Sequence, residues 1–192
     1  MSELSMYCLT LNPSHEEKIS ALSYIPVGLG DKNFSNKFLS DKTGENISSK
    51  NSFYGEYTFH YWLWKNKKIN FNSWIGFCQY RKFWKKNFED TEIKNFNNLN
   101  KIILKEIPEK LLNYDSILGE NFFVNQFRFS KFIKHNFRNM ISDPSLFFNK
   151  NKRTIKFHFD MMHGYKNLDK AINVLPKEER EDFKYFVNTE VS

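Results

Sequence analysis

Gln79-Tyr80-Arg81-Lys82-Phe83-Trp84-Lys85-Lys86 sets four cations among three aromatic rings in eight residues. Rings beside cations suit two kinds of ligand. A single-stranded nucleic acid would stack its bases on the rings while the lysines follow its phosphates. A nucleoside diphosphate would stack one base and set its charge against Arg81, whose planar fork can hold two phosphate oxygens at once. These residues alone leave both readings open, beside the plainer one of a solvated strand end. Glu56 and His60 are four apart and share a helix face. They fit acid–base chemistry, or a buried pair that orients a loop. His158, Asp160 and His163 are of metal-ligand types, but a helix or turn surface explains their spacing as well. There is no Gly-rich dinucleotide fingerprint, no Gly-Lys-Ser/Thr loop and no Gly-x-Ser-x-Gly elbow.

These side chains need elements to position them. Met6 to Leu11 is an apolar run closed by Asn12-Pro13 and reads as a buried strand. Ala21 to Gly30 contains Pro26, Gly28 and Gly30, so it reads as a short strand entering a loop. Residues 40–51 are polar and turn at Gly44. Ser52 is placed to cap a helix over Phe53 to Asn66. In that helix Phe53, Tyr57, His60, Tyr61 and Trp64 recur as one stripe, whose Phe, Tyr and Trp rings the periodicity assigns to the core. Gly55 weakens the helix by about 1 kcal/mol relative to Ala, which predicts that another group packs closely on the backbone there. Ser73 to Tyr80 reads as a central strand delivering Arg81 and Lys82 at its carboxyl end. The chain then reads as irregular to about residue 100, and as a strand or short helix over 101–108. Residues 114–124 read as strand–turn–strand. Three helices follow, over 126–141, 163–176 and 177–189. Strands alternating with helices predict an α/β layered fold.

A chain of 192 residues with 40% hydrophobic content can bury the core of one domain. The net charge of +7 favours anionic partners. The lysines are spread rather than clustered, so part of that charge follows from an Asn-, Lys-, Phe- and Ile-rich composition. Cys8 and Cys78 lie in apolar runs and predict buried free thiols in a reducing cytosol. No basic segment leads into an apolar one at the start, and no run approaches the roughly 18 apolar residues of a membrane span. The expectation is a cytoplasmic protein, with attachment to the inner face of the membrane left open.

Four segments follow in fixed order: Tyr-Ile-Pro-Val-Gly-Leu-Gly (24–30), Asp-Lys-Thr-Gly-Glu-Asn-Ile-Ser-Ser-Lys-Asn (41–51), Tyr-Gly-Glu-Tyr-Thr-Phe-His-Tyr-Trp-Leu-Trp-Lys-Asn (54–66) and Trp-Ile-Gly-Phe-Cys-Gln-Tyr-Arg-Lys-Phe-Trp (74–84). This order resembles the bacterial glycosyltransferase-like family of capsular and O-antigen polysaccharide loci. The resemblance implies a Rossmann-like α/β fold of the nucleotide-sugar transferase A type. It implies a single domain cut short at its C-terminus, with a donor-binding part over about 1–125 and a helical acceptor-side part over about 126–192. The implied activity is transfer of a sugar from a nucleotide-diphosphate donor to a glycan or lipid-linked acceptor, with no nucleic acid involved. A non-catalytic nucleotide-sugar or glycan-binding module is the alternative, and a basic single-stranded nucleic-acid-binding protein a more distant one.

Carried over position by position, the resemblance assigns donor binding to Pro26, Gly28, Asp41, Thr43, Asn46, Asn51, Trp64, Lys65, Asn66, Tyr80, Arg81 and Lys82. It places His163 and Asp169 on the acceptor side. Asp41, Glu56 and Asp115 are the candidate catalytic carboxylates. Gln79 stands where the family has His, and Lys82 where it has a second Arg. No Asp-x-Asp occurs, so no divalent metal is expected. Arg81, with Lys82 or Lys65, would instead offset the charge of the leaving diphosphate.

Overall fold

The computed structural model describes residues 4–70, 72–86, 96–121, 123–124 and 144–190. The helix expected over 126–141 lies outside the described residues. The chain divides into two compact units, Met1–Ile117 and Leu118–Ser192.

The first unit is built on four parallel strands, β1 (Leu4–Thr10), β2 (Ile25–Gly28), β3 (Leu39–Ser40) and β4 (Trp74–Gln79), in the order β3-β2-β1-β4. Met6 and Cys8 of β1 enter one core, Tyr7 and Leu9 the other. Burial on both faces is why β1 reads as an unbroken apolar run rather than an alternating one. Ile19 of α1 (Glu16–Ala21) and Leu99 of α4 (Phe96–Ile102) pack on the first face. Phe59, Trp62 and Leu63 of α3 (Tyr57–Lys65) cover the second. The fold is therefore α/β, with helices on both sides of a parallel sheet. Successive strands step from β1 to β3 in one direction. The chain then returns to place β4 on the other side of β1, and this reversal is a topological switch point.

Several expectations are corrected. The single helix over 53–66 is two, α2 (Asn51–Tyr54) and α3, broken at Gly55 with φ 55° and ψ −130°. That conformation is essentially open to glycine alone. A Cβ on Gly55 would meet nothing within 4 Å, so the glycine serves the backbone turn and not a close approach. The aromatic stripe also faces the other way. Phe53, Tyr57 and Trp64 are exposed and Tyr61 is half-buried, while Thr58, Phe59, Trp62 and Leu63 form the buried face. Five of the nine residues of α3 are Phe, Tyr or Trp, so periodicity finds two aromatic rows and cannot rank them. The α4 helix occupies residues read as irregular, and residues 114–121 form no strand.

Cys8 and Cys78 are register partners on neighbouring strands, and both are free and buried. Their mutual hydrogen bond, then burial, pushes the Cys78 thiol up, so it stays protonated.

In the second unit, α5 (Ile155–His163), α6 (Asn167–Val174) and α7 (Lys177–Val187) include the helices expected over 163–176 and 177–189. Leu168, Ile172 and Val187 form their core. Thr154 caps α5 by accepting the Phe157 N–H at 3.3 Å.

Candidate functional site

The carboxyl ends of β1 and β4 open onto a cavity of about 580 Å³. β1 ends at Thr10, and the 3-10 turn Pro13–His15 brings His15 back against it. Asn12 fixes this turn, its Oδ1 accepting the Ser14 N–H at 3.1 Å. Its Nδ2 then faces His15 Nε2 at 3.3 Å. An amide NH2 can only donate, so Nε2 is the acceptor and Nδ1 carries the proton. Nδ1 donates to Thr10 Oγ1 at 2.8 Å. Burial, followed by the charges of Lys18 and Arg81, pushes His15 below the usual imidazole range, so the ring is neutral at pH 7. It stacks on Tyr80 with centroids 3.6 Å apart and planes 19° from parallel.

β4 supplies the opposite wall. Gln79 Nε2 donates to Glu56 Oε2. The Lys82 N–H donates to Gln79 O at 2.8 Å, closing a four-residue turn. Arg81 occupies the third position of that turn with φ 88°, where glycine is favoured. An L side chain in a left-handed conformation costs on the order of 1 kcal/mol, and such strain gathers where a side chain is kept for function. Arg81 and Lys32 give the cavity two positive charges, and Glu56 gives it one negative charge. A smaller cavity of about 300 Å³ shares Glu56 and Gln79 and adds His60, Lys82 and Trp84. His60 Nε2 is buried without a hydrogen-bond partner. Burial pushes its pKa down, and Glu56 opposes this only in part.

The expected donor-binding residues do not all meet at one place. Asn51, Tyr80 and Arg81 line the larger cavity and Lys82 the smaller. Thr43, Asn46, Lys65 and Asn66 hold the 41–50 loop in shape and against α3. Trp62 Nε1 donates to Thr43 O at 2.7 Å, and Asn66 Nδ2 to Glu45 O at 2.9 Å. Lys65 pairs with Glu45 at 3.5 Å. Asn46 Nδ2 donates to the Gly44 carbonyl at 2.9 Å. Trp64 is exposed, with the Lys65 ammonium 4.3 Å from its ring centroid. Pro26 and Gly28 are buried in β2, and a Cβ on Gly28 would meet the Phe34 ring at 2.4 Å.

Of the three candidate carboxylates, only Glu56 lines the cavity at the carboxyl ends of β1 and β4. Asp115 lines another, of about 610 Å³, beside the amino-terminal parts of β1 and β4. Asp41 is fully buried at the end of β3. In the second unit, Asp169 pairs with Lys156, which also approaches Asp160 at 3.8 Å. The His163 ring lies 4.5 Å from Phe159. Among the described residues no group of three His, Cys, Asp or Glu side chains could hold a metal ion. Sequence reasoning missed Thr10, Asn12, His15 and Lys32. The available signal was the strand ending at Asn12-Pro13, with His15 just beyond it.

Asp41 carries a pH prediction. Neither of its carboxylate oxygens makes a hydrogen bond of good geometry. Burial pushes its pKa up, and the nearby Thr58 hydroxyl offsets this only in part. The unfolded chain therefore ionises first as pH rises, and stability present below the ordinary carboxyl range is lost above it. Asp41→Asn should be more stable than wild type at pH 7, and urea midpoints should show that advantage shrinking towards pH 4. An advantage that does not change with pH would contradict the raised pKa.

A parallel sheet reversing at β1, with a basic cleft at the reversal, defines the class of open, doubly wound α/β folds. Within that class the chain belongs to the family described as a domain of unknown function, DUF4422, whose model matches residues 7–190. Among solved structures it is similar to the apo structure of the WbbM bifunctional glycosyltransferase, with a TM-score of 0.50 and 18% identity over 99% of this chain. At that identity the likeness concerns the fold. The chain spans 32% of the length of that structure. No curated protein matches the chain.

Proposed function

We propose that the cavity at the carboxyl ends of β1 and β4 binds the nucleoside diphosphate of a sugar donor. The chain would transfer the sugar to a glycan or lipid-linked acceptor in bacterial capsule or O-antigen synthesis, at the cytoplasmic face of the membrane. One observation carries the reading: stacked rings, two cations and a carboxylate meet at the switch point of the sheet. The His15–Tyr80 pair offers a flat wall to a base. Arg81 and Lys32 offer charge to a diphosphate. The fold shared with a bifunctional glycosyltransferase supports it.

As the bond from the sugar to the diphosphate breaks, negative charge grows on the leaving oxygen, and cations already in place stabilise it. The remainder is positioning. Glu56, oriented by Gln79, is the carboxylate placed to take the proton of an acceptor hydroxyl. Transferases of this fold commonly hold a divalent metal on the diphosphate. Among the described residues none fits one: the cavity at the carboxyl ends of β1 and β4 offers the single carboxylate Glu56, already engaged by Gln79.

Calorimetric titration with uridine and guanosine diphosphates, beside a short single-stranded oligonucleotide, tests this. Saturable diphosphate binding that survives EDTA is expected. Binding lost in EDTA and restored by manganese would overturn the metal-independent part. Oligonucleotide binding that falls steeply with salt, with no diphosphate binding, would replace the reading with nucleic-acid recognition. Donor binding with neither hydrolysis nor transfer would leave a binding module.

A further inference from the structure

The α2–α3 segment has an outer face that the cavities do not use. Tyr57 and Trp64 of α3 are 66% and 63% exposed, and Phe53, on α2 across the Gly55 turn, is 86% exposed. Tyr61 lies between Tyr57 and Trp64 on the same helical arc, its ring 5.9 Å from Trp64. Single exposed rings are ordinary, but several gathered on one short segment mark an interaction surface. Lysines rim this one. Lys65 sits over Trp64 at 4.3 Å, and Lys50, Lys67 and Lys68 are exposed. The nearby carboxylate of Glu45 is engaged by Tyr61 Oη at 2.9 Å and by Lys65 at 3.5 Å.

The chemistry of this face selects its partner. Trp and Tyr rings are amphipathic and settle at the headgroup level of a bilayer. Surrounding lysines reach anionic headgroups, and their long stems let the ammonium stay in the headgroup layer while the rings enter it. These rings line none of the three cavities, so the face offers a bilayer rings and charge rather than a groove for a peptide. The net charge of +7 acts in the same direction.

We propose that the outer face of α2–α3 docks the protein on an anionic lipid bilayer. Asn51, Gly55 and Glu56 of the same segment line the cavity at the carboxyl ends of β1 and β4. Docking therefore brings the rim of that cavity to the lipid surface, where a lipid-linked substrate would be met.

The test uses the full chain with vesicles of phosphatidylcholine alone, or of phosphatidylcholine and phosphatidylglycerol in equal parts. Co-sedimentation with the mixed vesicles is expected, weakening with salt, and little with the neutral ones. Tryptophan emission should shift to the blue on binding, and Trp64→Phe should remove most of the shift, since Trp62, Trp74 and Trp84 are buried or half-buried. Phe53→Ser with Tyr57→Ser should weaken vesicle affinity by about tenfold or more. Lys67→Gln should weaken it by about fivefold, which corresponds to about 1 kcal/mol per lysine at an anionic surface. Absence of binding to mixed vesicles would overturn the proposal, as would a Phe53/Tyr57 variant that binds like wild type. Self-association without lipid, abolished in the same variant, would assign the face to a protein contact and overturn it too. Diphosphate titration of that variant keeps the two proposals separable, because neither exposed ring lines a cavity.

Discussion

Phe59→Ala should lower the free energy of unfolding by about 3–5 kcal/mol, read as a lower urea midpoint with an unchanged slope. Phe59 is fully buried at the centre of the second core. Its ring meets Tyr7 edge-on at 5.4 Å and stacks near Trp62 at 5.6 Å. It also approaches Phe77 of β4 edge-on at 6.5 Å. Removing it takes away contacts to β1, to β4 and to its own helix, and leaves a cavity that three rings cannot close without moving the sheet. Folded domains are stable by about 5–15 kcal/mol, so this single change uses a large part of that margin. Phe53→Ala, on the same segment and in the row the periodicity favours, should stay within about 0.5 kcal/mol of wild type. Equal costs for the two would mean that the exposed row is buried in solution and that the helix faces have been assigned the wrong way round.

That contrast shows how far the sequence reaches. β1 is legible because a strand buried on both faces is apolar nearly throughout and Asn12-Pro13 ends it openly, and β4 because Trp74 to Cys78 is a dense apolar run. The orientation of α3 is not legible, because aromatic side chains stand on both of its faces and burial is decided by what the sheet presents to them. Gly55 is visible in the sequence, but its positive φ is not, so one helix was expected where two form. The site divides along the same line. Arg81 and Tyr80 follow a strand that can be read, and their chemistry is local. Thr10 and His15 join them only because β4 pairs with β1 across more than 60 intervening residues, a long-range pairing with no local signature. Thr43, Asn46 and Asn66 look like ligand contacts because they are polar and closely spaced. Thr43 instead receives the Trp62 indole N–H, and Asn46 and Asn66 meet backbone groups of an irregular loop, groups that no sheet or helix satisfies and that side chains must satisfy instead.

Arg81→Ala should weaken nucleoside-diphosphate binding by about 10- to 100-fold, since hydrogen bonds to a charged group contribute about 1.5–3 kcal/mol. Arg81→Gly should lose as much affinity and yet raise folding stability by on the order of 1 kcal/mol, because glycine adopts the φ of 88° without strain. Arg81→Lys should fall between, keeping the charge but not the fork. A purely structural role would move stability and affinity together, whereas a ligand-holding role moves them in opposite directions in the glycine variant. His15 gives a second readout. Arg81 is the last of the three causes that hold its pKa down, after burial and Lys18, so its removal should raise that pKa slightly, as an imidazole NMR titration would record. Diphosphate binding unchanged in both the alanine and glycine variants would remove Arg81 from the site and leave its backbone conformation without a functional reason. Loss of binding with a gain in stability would mean that the turn keeps arginine at a position the fold would give to glycine because a diphosphate is held there.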